Sequence, residues 1–178
     1  MSEPYHKQQI QLTEANSNAP VAVVQGDLPE RFRRAMSSEE LLKESLAILR
    51  AQSWLFQTLH WKVAGKDFYE QHLLFERLYN DLGAEIDALA EKIVGYYGSE
   101  SVAASDSMEL AQRWLSGWRD GDAIAVALKA EKQLQALLRK TYDVMSQKKE
   151  LSLGLDDFLM ALASAHETHI YLLNQSKV

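Results

Sequence analysis

Five residues carry donor atoms at spacings that suit a metal: His60, His72, Glu76, Asp87 and Glu91. Imidazole nitrogen with carboxylate oxygen is the ligand set of iron, zinc and manganese sites. At 100° per residue, His72, Glu76, Asp87 and Glu91 stand at about 0°, 40°, 60° and 100° around one helix axis. Taken singly, each has an ordinary reading: a histidine beside Trp61 or on an apolar face packs into a core, and a helix-face acid is solvated. Their common phase, with no lysine or arginine among them, argues for a joint role.

The length of that stripe decides where a site can lie. At a rise of 1.5 Å per residue, His72 and Asp87 are about 22 Å apart along the axis, beyond the reach of one ion. A second copy of the helix, antiparallel across a twofold axis, would set Asp87 and Glu91 of the partner subunit beside His72 and Glu76. The spacing therefore predicts a metal site at the seam between two subunits. Gly83 lies on the same stripe, about 20° from His72. Glycine inside a helix costs about 1 kcal/mol against alanine, and close approach of a symmetry-related helix would account for it.

These residues need helices to hold them. All three prolines, Pro4, Pro20 and Pro29, precede residue 30. Residues 1–36 read as an irregular arm and residues 37–178 as a helical body. The arm balances Lys7, Arg31, Arg33 and Arg34 against Glu3, Glu14, Asp27 and Glu30, and its apolar run Val21 to Val24 is expected to dock on the body. Ser37 or Ser38 caps a first helix running to about Val63, with Glu39 and Glu40 in the first turn and Gly65 as the stop. Asp67 caps a second, which runs to about Tyr96 and is closed by Gly95 and Gly98. A long crossover from Gly98 to Gly121 contains a short amphipathic helix, Met108 to Leu115, started by Asp106 or Ser107. Asp122 opens a third long helix to about Lys148. Gly154 punctuates, and Leu155 to Leu173 is the fourth. Apolar spacing supports helix throughout and no strand pattern competes. The expected fold class is all-α: a ferritin-like four-helix bundle with a short helix in the long crossover between helices 2 and 3.

Composition bounds the function. An apolar share of 47% and a charged share of 25% in 178 residues fit one soluble domain. The absence of cysteine removes thiolate metal sites, cysteine nucleophiles and disulfides. With no signal pattern and no apolar run of membrane-spanning length, a cytoplasmic protein without a membrane partner is expected. A net charge of −6 disfavours phosphate backbones and, multiplied over an oligomer, draws cations. Di-iron bundles that build their centre within one subunit use Glu-x-x-His. The only such spacing, Glu3-Pro4-Tyr5-His6, lies in the arm, so an intrasubunit site is not expected. His166 and His169 share a face of the last helix, but no acid stands at the right phase to complete a site with them. They read as core or supporting residues.

Leu59-His60-Trp61, followed by His72, Glu76, Asp87 and Glu91, resembles the Dps family (DNA-binding protein from starved cells), the small ferritins. That family has a histidine, a second twelve residues on, an acid four beyond, then Asp and Glu four apart. Ala165 to Leu173 resembles the family's last helix, and the resemblance covers residues 37–178. It implies a hollow dodecamer whose ferroxidase centres straddle twofold interfaces, with His60, His72 and Glu76 from one subunit and Asp87 and Glu91 of the partner subunit. It implies oxidation of ferrous to ferric iron, with hydrogen peroxide preferred to dioxygen, storage of ferric mineral and protection against oxidative damage. It also places Asp156 and Asp157 near threefold pores. Trp61, flanking the centre, is read as packing. Three features depart from the family: Glu76 stands where Asp is usual, Lys62-Val63-Ala64-Gly65 replaces a commoner Asn-Val-Lys-Gly, and the lysine-rich N-terminal tail of DNA-binding members has no counterpart. DNA is therefore not an expected partner. Alternative readings are a catalytically weak or silent metal-sequestering shell, a DNA-compacting protein with secondary ferroxidase activity, and a zinc or manganese bundle protein.

Overall fold

The computed structural model describes residues 26–119 and 121–176. The Val21 to Val24 run lies outside them. Four long helices and one short one account for most of the rest: α1 (Ser38–Lys62), α2 (Phe68–Tyr97), α3 (Ala104–Ser116), α4 (Ala123–Lys148) and α5 (Leu153–Gln175). Among the described residues there is no strand, and no helix is long and apolar enough to cross a membrane.

The contacts fix the direction of each helix. Phe56 meets Phe75 with ring centroids 6.4 Å apart and His60 meets His72, so α1 and α2 run antiparallel. Ser45 faces Thr141 at 3.4 Å and Ser38 donates to Glu150 just beyond the end of α4, which makes α1 antiparallel to α4 as well. Gln135 donates to the Ala163 carbonyl, pairing α4 with α5. Thus α2 and α4 run the same way and sit diagonally across the bundle. Joining two parallel helices needs a long return, which residues 98–122 provide. That return carries a 3₁₀ turn (Ser99–Val102) and α3, which lies against α1. The chain has the ferritin-like four-helix bundle fold, with its extra helix in the crossover.

Local chemistry explains the ends. Ser37 caps α1 through a full capping box: its hydroxyl accepts from Glu40 N–H, and the Glu40 carboxylate accepts from Ser37 N–H. Asp122 and Ser152 cap α4 and α5 in the same single-bond way. Asp67 occupies the cap position of α2, but its side chain makes no cap bond. Gly98, at φ 88°, ends α2, and Gly95 stays inside it. Two boundaries differ from the expected ones. The crossover helix begins at Ala104, fed by the 3₁₀ turn, and Ser107 does not cap it but accepts from Arg50 at 2.7 Å. The last helix begins at Leu153 under the Ser152 cap, so Gly154 sits in its first turn and does not interrupt it.

The end of the segment read as irregular arm packs on the body. Glu30–Arg33 form a 3₁₀ turn, and Phe32 and Met36 enter the core. Arg31 lies 4.4 Å over the Trp114 ring and pairs at 3.4 Å with Glu44, which also accepts from Trp114 Nε1 at 2.8 Å. Gly26 touches the Lys132 carbonyl of α4 so closely that a Cβ could not fit there.

Candidate metal centre

His60 closes the last turn of α1 and His72 opens the second turn of α2. Their rings stack with centroids 3.6 Å apart and planes 22° from parallel. His60 Nδ1 lies 2.8 Å from the His72 carbonyl, and His72 Nδ1 lies 2.9 Å from the His60 carbonyl. A carbonyl only accepts, so each Nδ1 must carry the proton and donate. In the neutral rings, both Nε2 lone pairs are then left for a ligand, the arrangement in which a backbone partner fixes tautomer and orientation. The same bonds satisfy a carbonyl that the end of α1 would otherwise leave open.

Glu76 follows His72 by one turn and is half-buried, while Asp87 and Glu91 stand exposed farther along α2. The structure thus brings His60 and His72 together and leaves Asp87 and Glu91 at the distance their spacing dictates within one chain. No third His, Asp or Glu joins the histidine pair in a metal-sized group among the described residues. Around the pair, Trp61 is 67% exposed, so packing within the chain does not hold it. Phe68, Tyr69 and Leu73 are exposed beside it, and open space surrounds Gly83. At the start of α5, Asp156 is half-buried beside Tyr142, whose pKa it raises through a hydrogen bond and its charge. Asp157 is exposed.

A second group, absent from the expected site, lies in the bundle interior. Glu131 of α4 and His166 and His169 of α5 are buried, with one ligand atom of each within 4.8 Å of the others. His166 Nδ1 donates to Glu131 Oε2 at 2.6 Å, and His169 Nδ1 donates to Glu131 Oε1 at 3.0 Å. On the opposite edges, His166 Nε2 meets Glu85 at 3.1 Å and His169 Nε2 meets Asp81 at 3.3 Å. Burial would push the His166 pKa down. The charge and hydrogen bonds of Glu131 and Glu85 outweigh it and raise the value to about 10. Burial likewise favours neutral Glu131, but the two histidines hold its carboxyl below the ordinary value. The expectation that no acid serves His166 and His169 is corrected here: the acids come from α2 and α4, not from their own helix. The search for Glu-x-x-His passed over the group because the pair on α5 is His-x-x-His. The signal available was Glu131 itself, a lone carboxylate among Ala127, Leu128, Leu134 and Leu138 on the apolar stripe of its helix.

No protein-family model matches the chain. General stress protein 20U of Bacillus subtilis is 42% identical over 52 residues, 29% of this chain and 36% of that protein, so that match spans little more than a third of its relative. A DNA protection during starvation protein of Brevibacillus brevis is 27% identical over 116 residues, 64% of this chain and 76% of the relative. Among solved structures, the Dps protein of Vibrio cholerae, described as a member of a broad superfamily of ferritin-like diiron-carboxylate proteins, superposes with a TM-score of 0.65. It is 21% identical, covering 78% of this chain and 87% of that one. A Listeria innocua Dps variant, with glycine replacing two histidines twelve positions apart, gives a TM-score of 0.67 at 15% identity, covering 80% and 95%. The chain is thus similar to proteins bearing the Dps name, and it shares the ferritin-like four-helix bundle fold of the Dps structures.

Proposed function

We propose that the protein is a Dps-like mini-ferritin that oxidises ferrous iron, preferably with hydrogen peroxide, at centres shared between two subunits, and stores the ferric product in a hollow shell of twelve chains. The observation that carries this reading is the locked histidine pair: two Nε2 atoms left for a ligand, with no third His, Asp or Glu in a metal-sized group with them among the described residues. His60, His72 and Glu76 would bind from one subunit, and Asp87 and Glu91 of the partner subunit would supply carboxylates. The exposed Trp61, Phe68 and Leu73 and the open face at Gly83 support a second copy covering this surface. Two histidines twelve positions apart, replaced in the Listeria innocua variant, match the separation of His60 and His72.

In the reaction, two ferrous ions give up one electron each. The O–O bond of peroxide breaks and two hydroxides form, so no hydroxyl radical is released. Carboxylate oxygens favour the harder ferric ion and draw the oxidation forward. The acidic chain, net −6, supports cation entry and speaks against DNA as a partner. Stopped-flow mixing of the protein, ferrous iron and peroxide tests the reading. His60→Ala/His72→Ala should lower oxidation to the protein-free rate while the assembly keeps its mass. An unchanged rate would place the chemistry elsewhere.

A further inference from the structure

We propose that each chain carries a second metal site of its own inside the bundle, where Glu131, His166 and His169 bind a divalent transition-metal ion that enters past Asp81 and Glu85. Two imidazoles and a carboxylate suit zinc, iron and their neighbours in the first transition row. Their ligand atoms lie within 4.8 Å of one another, a little wider than the roughly 4.2 Å that two ligand bonds of about 2.1 Å can span, so small side-chain shifts would close them on one ion.

A purely structural ion network is the competing account, and three observations weigh against it. Three carboxylates face two imidazoles, so the cluster keeps a negative charge whatever the rings carry. The contacts to α2, at 3.1 and 3.3 Å, are longer than the 2.7–2.9 Å or so of a well-formed charged hydrogen bond. And α1 brings Gln52, fully buried, with neither amide atom bonded. Gln52 lies seven residues from Ser45 and so shares the face that meets α4. The register set by Phe56 against Phe75 and His60 against His72 puts it opposite residues 79–80 of α2, within about half a turn of the level of Asp81. A buried amide with unused donor and acceptor is costly, and an ion with its bound water at this level would occupy it.

Exposure falls stepwise along the way in. The Asp81 side chain is 48% exposed, Glu85 17%, and Glu131 and His166 0%. Carboxylates at both outer steps would exchange the hydration shell of an arriving cation gradually.

Cobalt(II) chloride, titrated into chelator-stripped full-length protein, tests the site by visible absorption and X-ray absorption. The His60→Ala/His72→Ala protein should still bind one cobalt per chain with imidazole ligands, which separates this site from the shared one. Adding Glu131→Gln should weaken that binding at least about 100-fold, and Asp81→Asn/Glu85→Gln about tenfold. No cobalt bound by the His60→Ala/His72→Ala protein would overturn the proposal and leave an ion network. So would undiminished affinity in a folded Glu131→Gln variant. Should Glu131→Gln fail to fold, Asp81→Asn/Glu85→Gln, at the exposed edge, decides: unchanged affinity there refutes the site.

Discussion

An imidazole that gives its only proton to a backbone carbonyl presents a lone pair on its other nitrogen, and His60 and His72 do this for each other. The stacking predicts that a single replacement harms both positions, because the surviving ring keeps its backbone hydrogen bond but loses the partner it packs on. His72→Ala alone should therefore reduce peroxide-dependent oxidation about as far as the double variant does, a comparison stopped-flow rates settle. In the interior, His166 makes a pH prediction. Its folded pKa of about 10 exceeds the ordinary 6.5, so its contribution to stability is full below 6.5 and is lost as pH rises through about 10. Glu131 is shifted the other way, and its contribution is lost as pH falls below the ordinary carboxylate value. In chelator, the melting-temperature gap between the wild type and His166→Gln should shrink steadily from pH 6.5 to 10. A gap constant over that range would mean that the ring is not charged in the fold.

Helices were the most legible level. Ser37 and Asp122 announce helix starts because their oxygens can reach the open N–H groups of the first turn, and both do so. The phase of His72, Glu76, Asp87 and Glu91 was legible for the same reason: one helix has one geometry. What could not be read was anything that depends on register between helices. Asp81 and Glu85 meet His169 and His166 only through the packing of α2 on α5, more than eighty residues away. The turn at Glu30–Arg33 was hidden likewise, since it is held by Glu44 and Trp114 and not by its own sequence. Breaking that tie should cost stability: Glu44→Ala leaves Arg31 and the Trp114 N–H unpaired, and about 2–4 kcal/mol is expected in urea unfolding. By contrast, Lys149 holds a left-handed conformation at the end of α4, at φ 59°. Lys149→Gly should relieve that strain and stabilise by about 0.5–1 kcal/mol.

For the molecule as a whole, the shared-centre reading requires association. Twelve chains of 20.2 kDa would give about 240 kDa by light scattering. Gly83→Trp should disrupt that assembly without disturbing the single bundle, since nothing lies within 4 Å of the missing Cβ. Smaller particles with unchanged circular dichroism are the expected result, and a full-size shell would show that this face is not the contact. The seat of Gly26 against α4 has a practical consequence. Because α4 stands diagonally opposite α2, the exposed Asp27 lies on the side of the bundle turned away from the histidine pair. The sequence has no cysteine, so Asp27→Cys creates a unique thiol there. A fluorophore attached to it would ride on the back of each subunit, free to report energy transfer between neighbours while leaving the face that carries the histidine pair unlabelled.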